Sequence, residues 1–439
     1  MSSRSASGNS KSGDEKSDNE DQVPNISSAE VSEKYKTAAR ITNDTIKTVQ
    51  SKCVSGASIV DLCQMGDNLI IQKTGEFAKK APYKKGIAFP TCISLNGHLA
   101  HFSPLKANDV TLNNGDLVKL ELGTHVDGYI AISALSFVVG ASKESPATGK
   151  KADVILAAYY AAEAAIRSLK VGTPGQKVAD VVQTVTGEFK CKPVENMLFY
   201  AMDQNKLEGE TGILINGSVE GRKDHTQPEV KEHEVYAVDV LVSSGKGTCK
   251  LTSLDTTIYK LEQVHYSLKS KRSRHFFNYA NNQFQFMPFN LRYFETDENN
   301  VSVAQSVLPK LKTKDNKGIE VPDFVTCKMG IKECREHGLM TQFDVQQVEQ
   351  VEEGGEFCAQ FKFTVFVHSR GPERITFVDF DPSLYKSEHS IQDEAVNELL
   401  KEKIDLSKKK KKKKPAAKST EPSGDAKSNS APAPVPVQS

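Results

Sequence analysis

The sequence predicts an α/β protein in which one arrangement of helices and strands is used twice. Three observations carry that prediction. The order helix, glycine break, helix, strands occurs once before residue 140 and again after residue 150, a faint internal duplication. Residues 262–345 depart from it, being basic, aromatic and rich in Asn. Both termini are too poor in apolar side chains to join a core.

The first unit opens with a helix over 29–51, with apolar positions at Val31, Tyr35, Ala38, Ala39, Ile46 and Val49. Val54-Ser55-Gly56-Ala57 breaks it, and a second helix runs to about Lys73. The period then changes. Gly86 to Pro90 and Cys92 to Leu99 read as short strands, and Leu117–Gly123 and Tyr129–Val139 as a hairpin around Asp127-Gly128. The second unit has an Ala-rich helix over 151–170, a break at Val171–Gly175 and a helix from Gln176 to Phe189. Its strands include Glu234–Ser244, and further strands are expected at Phe357–Val367 and Arg374–Val378, with a short helix near 390–403.

By composition the chain divides into an acidic, Ser-rich, disordered start (1–28), a first α/β part (29–261), the deviant segment (262–345), closing strands and helix (346–404) and a disordered lysine-rich tail (405–439). Hydrophobic residues make up 38% of the 439, low for a chain folded throughout. The net charge is +1, yet residues 1–33 carry −4 and residues 401–439 carry +7, so the tail is the part that asks for a polyanion. The eight cysteines form no CxxC pair, which argues against zinc knuckles and disulfide scaffolds and fits a reducing compartment, cytosol or nucleus. No signal peptide and no apolar run near membrane length is seen, so no membrane partner is expected.

Three ionisable residues stand out on strands. In Ala359–Val365 the alternation puts Phe361, Phe363 and Val365 on one face and Gln360, Lys362 and Thr364 on the other. Glu121 lies opposite its apolar neighbours in Lys119–Gly123. Asp239, in Tyr236–Leu241, is a carboxylate in an apolar strand and needs a partner. From spacing alone, these groups either converge or lie on separate solvated faces.

Longer strings resemble a known family. Gly86-Ile87-Ala88-Phe89-Pro90-Thr91, Ser94-Leu95-Asn96, His101-Phe102-Ser103-Pro104, Val118 to His125, Tyr236 to Asp239 with Ser243 to Gly247, Met287 to Arg292 and Ala359-Gln360-Phe361 are similar to the type 2 methionine aminopeptidases. The resemblance covers about residues 30–388 and is strongest to the proliferation-associated proteins, through His101 to Lys106, Val235 to Gly245 and the lysine-run tail. It implies the pita-bread fold, two pseudo-symmetric halves around a central site, with a mostly helical insert at 262–345.

The resemblance also permits a test of the chemistry. Active members hold two divalent ions on Asp, Asp, His, Glu and Glu. At the matching positions this chain has Glu121, Ile132, Ser218, Asp239 and Lys362, and the substrate-side histidine persists as His101. An ammonium has donors only and puts positive charge where a dication belongs. The expectation is a vestigial site without metal or other cofactor, in which Lys362 is salt-bridged to Glu121 and Asp239. The alternative in the enzyme class is an active metallo-aminopeptidase with altered ligands.

Three basic features remain. Lys269, Lys271, Arg272 and Arg274 precede Phe276, Phe277 and Tyr279, which read as packing residues rather than base-stacking ones. Lys310, Lys312, Lys314 and Lys317 form a second cluster. Lys408, Lys409, Lys410, Lys411, Lys412, Lys413 and Lys414 form the third. The resemblance implies binding to structured RNA, ribosomal RNA and the large ribosomal subunit near the peptide exit, in cytoplasm and nucleolus. It also implies nuclear or signalling partners for some members. Two departures stand out: a longer insert around 297–322, and Val396-Asn397-Glu398-Leu399-Leu400, which lacks the first Leu of an LxxLL motif and argues against a receptor-type co-regulator role; a signalling adaptor for kinases or transcription complexes stands as a third reading that nothing in the sequence excludes.

Overall fold

A computed structural model of the chain describes residues 24–77, 83–311, 318–350 and 355–404. The expected disorder before residue 24 and the lysine run lie outside these residues. The first helical pair is α1 (Ala29–Gln50) and α2 (Ile59–Glu76); Ser58 caps α2 by accepting from the Asp61 amide. The second pair is α3 (Lys150–Ser168) and α4 (Gly175–Glu188). Both pairs cover one face of an antiparallel sheet. A short helix, α5 (Val219–Lys223), follows them in the chain.

Three strands of that sheet come from the first half: β1 (Lys85–Leu95), β2 (Leu117–Val126) and β3 (Tyr129–Val138). The strand Cys358–His368 follows in space, then Val235–Ser243, Leu198–Ala201 and Gly212–Leu214. The β2–β3 hairpin turns at Asp127 and Gly128, both at positive φ, as its two-residue loop requires. Two expectations are corrected. Gly86–Leu99 is one strand ending at Leu95, bent where its register shifts between Ile87 and Cys92, rather than two strands. The return strand is Gly371–Arg374, not 374–378; beyond it the Ile375 amide donates to the Thr364 carbonyl and its carbonyl accepts from the Asn43 side chain.

The two halves meet between β3 and Cys358–His368, where the only paired residues are Lys362 and Ala134. Hydroxyls replace the missing ladder. Ser133 donates to the Lys362 carbonyl, Ser136 to the Gln360 carbonyl, and Thr364 accepts from the Ile132 amide while donating to the Ile132 carbonyl. The seam is thereby satisfied without continuous backbone pairing.

Leu120, Leu122, Val238, Val240, Phe361 and Phe363 point at the helices and form the main core with Ile46, Ala158 and Val182. Their alternating neighbours Glu121, Asp239 and Lys362 therefore face the other way. On that side lies the segment following Leu261. It is less helical than expected: α6 (Lys271–Gln283), the one-turn α7 (Val303–Ser306) and α8 (Phe324–Glu336) accompany a small sheet of Ile258–Leu261, Phe289–Asn290 and Met340–Phe343. Helix α9 (Glu394–Lys401) lies near the end of the described chain. Leu399 and Leu400 of α9, partly buried, pack on the main core. No helix among the described residues is long and apolar enough to cross a membrane.

Candidate functional site

The row Cys92, Glu121, Ala134, Lys362, Asp239 runs straight across five neighbouring strands. Residues in one row share a face, and Ala134 is small enough to leave Glu121 and Lys362 in reach of each other. The Lys362 ammonium donates to Glu121 Oε1 and lies 2.7 Å from Asp239 Oδ2. Asp239 Oδ1 accepts from Gln360 Nε2 at 2.9 Å. All four side chains are buried. Burial works against the Lys362 charge, but Asp239 and Glu121 outweigh it and hold the ammonium above the ordinary lysine range. Burial pushes the Asp239 carboxyl up; Lys362 pulls it down and Glu121 adds to the rise. The three ionisable residues singled out on the strands thus converge.

The other expected positions do not join them as ligands. Ile132 is buried in the apolar cluster with Phe89 and Ala131. Ser218 caps α5, its Oγ accepting from the Gly221 amide at 3.1 Å. His101 sits at the edge of the cluster at φ 67°, its ring against Phe89 and Phe343 and Nδ1 3.3 Å from the Asp344 carbonyl. Burial holds its imidazole below the usual histidine range, so it is neutral at pH 7. A pair of divalent ions does not fit this donor set: both carboxylates are already engaged by an ammonium, and the remaining candidates offer no anionic atom. No group of three or more His, Cys, Asp or Glu among the described residues could hold a metal ion.

Against this cluster opens a cleft of about 500 Å³, lined among others by His101, Asp239, Leu241, Lys260, Phe343 and Gln360. Two polar features here were not anticipated. Lys119, two residues before Glu121, is buried and donates to the carbonyls of Asn96 and Cys358; burial pushes its ammonium down to about 8. Asp67 on α2 and Arg292 form a buried ion pair at 2.7 Å, which ties the segment after Leu261 to the first half. Arg292 also donates to Ser103 Oγ and the Pro104 carbonyl. Sequence alone offers a hint for Lys119 and Arg292, each a charged residue flanked by apolar ones, but not the partner, and none for Asp67, which lies between Gly66 and Asn68.

The basic cluster Lys269, Lys271, Arg272 and Arg274 surrounds the start of α6, with all four exposed. Arg274 is held by the carbonyls of Leu268 and Lys269, at 2.9 and 2.7 Å, and Arg272 reaches Met329 Sδ of α8. Helices α6 and α8 touch closely at Gly330, where a β-carbon would lie 2.5 Å from the Phe276 ring. That contact brings exposed Lys328, Lys332 and Arg335 of α8 onto the same part of the surface, residues far from the first cluster in sequence. Phe276 and Tyr279 are buried in the aromatic core below, and Phe277 is half-buried. Lys310 is exposed; Lys312, Lys314 and Lys317 lie outside the described residues.

Comparison with known proteins gives the lineage. The model of metallopeptidase family M24 matches residues 33–252. Proliferation-associated protein A of Dictyostelium discoideum is 33% identical over 389 residues, 88% of this chain and 92% of that protein. The chain belongs to the proliferation-associated branch of the M24 family. A second relative, the Curved DNA-binding protein of Schizosaccharomyces pombe, is 32% identical over 87% of this chain and 93% of that protein. Among solved structures, a thermophilic Arx1 matches with a TM-score of 0.72 at 24% identity, covering 86% of this chain and 99% of that one, which establishes the shared pita-bread fold.

Proposed function

We propose that this protein is a non-catalytic RNA- and ribosome-binding member of its family, serving ribosome assembly, translation and growth control in cytoplasm and nucleolus. The observation that carries the binding role is the cationic surface of α6 and α8. Lys271, Arg272 and Arg274 occupy the first turn of α6 and Lys269 stands just before its Ser270 cap, where the helix dipole disfavours cations. Keeping them there costs stability, and a phosphate-rich partner supplies the reason. Held in place by α8 and the aromatic core, these charges can match one arrangement of phosphates and grooves. The name of the fission-yeast relative, a DNA-binding protein, supports a nucleic-acid partner. The non-catalytic part rests on Lys362, whose ammonium takes the place that a divalent ion would need between Glu121 and Asp239.

Two measurements test the reading. Co-sedimentation with ribosomes across a salt series should show binding that weakens steeply with salt. No co-sedimentation at low salt refutes the binding role. Elemental analysis should find no stoichiometric Mn, Fe, Co or Zn, and Met-Ala-Ser peptides should stay intact. Two equivalents of metal with chelator-sensitive turnover would establish the enzyme instead.

A further inference from the structure

The cleft beside the Lys362 cluster has the chemistry of a cation site. In and behind it stand five carboxylates: Glu121 and Asp239 share Lys362, Glu208 and Glu262 share Lys260, and Asp344 has no cationic partner among the described residues. Lys119 on the same sheet face adds a third ammonium, spent on the carbonyls of Asn96 and Cys358, and five carboxylates still outnumber the cations. A second observation is independent of the charge count. Gln360, only 1% exposed, lines the cleft and has an amide oxygen with no partner, its amide nitrogen being spent on Asp239. The amide oxygen of Gln342, another lining residue, is likewise buried and unpartnered, its nitrogen bonded to Asp344 at 2.7 Å. Buried acceptors without donors are costly, and a donor-rich cation relieves them. Leu99, Ala100, Met197, Leu241 and Phe343 add apolar wall, which suits an aliphatic stem.

We propose that this cleft binds a primary alkylammonium at the end of an aliphatic chain, set against Gln360, Gln342 and Asp344. Two sources have that chemistry: a free aliphatic polyamine and the side chain of a lysine within a peptide. An N–H-rich head would donate to the Asp344 carboxylate and, once the Gln360 and Gln342 side chains turn their covered amide oxygens into the cleft, to those oxygens, while its methylenes lie along the apolar wall. The site does not depend on the RNA-binding reading, since it uses none of the residues of α6 or α8.

Calorimetric titration of the full chain at fixed salt tests it with three probes: spermidine, Nα-acetyl-lysine methylamide and a Met-Ala-Ser peptide with a free amino terminus. Saturable binding of spermidine or of the lysine derivative supports the proposal, and their ranking identifies the source. Asp344→Asn, and separately Glu262→Gln, should each weaken that binding about tenfold while the far-ultraviolet spectrum is unchanged. Binding that neither variant alters would be diffuse electrostatics and would overturn the site. Absence of saturable binding, or selective uptake of the Met-Ala-Ser amino terminus alone, overturns it too. Ribosome co-sedimentation of Asp344→Asn should remain that of the wild type.

Discussion

Lys362 carries a positive charge into a sheet face where it contacts two carboxylates. Removing it strands both. Lys362→Ala should therefore lose about 3–5 kcal/mol of stability, read by denaturant unfolding near neutral pH. The loss has a pH signature. Without the ammonium, burial and the neighbouring Glu121 drive the Asp239 carboxyl further up, so the folded variant holds a proton that the unfolded chain releases. Its deficit should thus shrink on acidification from pH 7.5 to pH 5 and grow again on return. Exchange of the whole cluster, Lys362→Met with Glu121→Gln and Asp239→Asn, should recover most of the stability. An unchanged melting transition in Lys362→Ala would show a solvated lysine. His125 gives the opposite case. It is buried in the first half, its Nδ1 accepts from the Gly128 amide, and burial lowers its imidazole to about 4. The unfolded chain takes up a proton near pH 6.5 and the folded one does not. The stability is complete above about 6.5 and is lost as pH falls toward about 4. His125→Gln should flatten that part of the stability profile; a profile left unchanged would exclude His125 as its source.

At the scale of elements, the segment after Leu261 is seated by a buried pair, with the Asn290 side-chain amide donating to the Ser103 carbonyl beside it. Arg292 lies on the short 3-10 turn Leu291–Phe294, while Asp67 comes from the middle of α2. Both are 1% exposed and 2.7 Å apart. Burial raises the Asp67 carboxyl even with the guanidinium beside it, so loss of that guanidinium is severe. Arg292→Ala should cost about 3–5 kcal/mol and loosen the whole segment. Hydrogen exchange should then quicken across α6 and α8 before it does in β2 and β3. Uniform exchange throughout the molecule would mean that the pair stabilises the fold without seating this segment in particular. The longer insert read around 297–322 also contains a helical turn, since Ser302 and Gln305 form a capping box that starts α7.

For the whole molecule the open comparison is between positioned and diffuse charge. The α6 cluster is held by a packed scaffold; the lysine run at 408–414 is one charge type repeated without interruption. Neutralising Lys269, Lys271, Arg272 and Arg274 should abolish the preference for ribosomes over unrelated RNA. Deleting residues 408–439 should weaken both about equally and lower the slope of log affinity against log salt by about 0.7–0.9 for each phosphate that the tail neutralises. Co-sedimentation of the two variants with ribosomes and with unrelated RNA separates the roles. Preference lost on tail deletion and kept in the α6 variant would exchange them.

The helices, the hairpin at Asp127-Gly128 and the facing of Glu121, Asp239 and Lys362 were legible in the sequence because each follows from a local period or turn rule. Long shared strings made the family legible too, and with it the pita-bread halves. The tertiary structure alone decided what those residues meet. Glu121 and Lys362 are 241 positions apart, and only the strand order, with the C-terminal strand laid between the halves, puts them in one row across Ala134. The Asp67–Arg292 pair, the extension of the α6 cluster onto α8 and the unpartnered oxygens of Gln360 and Gln342 are likewise set by distant segments coming together. Periodicity reports which face a side chain takes, but charge balance and hydrogen-bond satisfaction depend on what the opposite face brings.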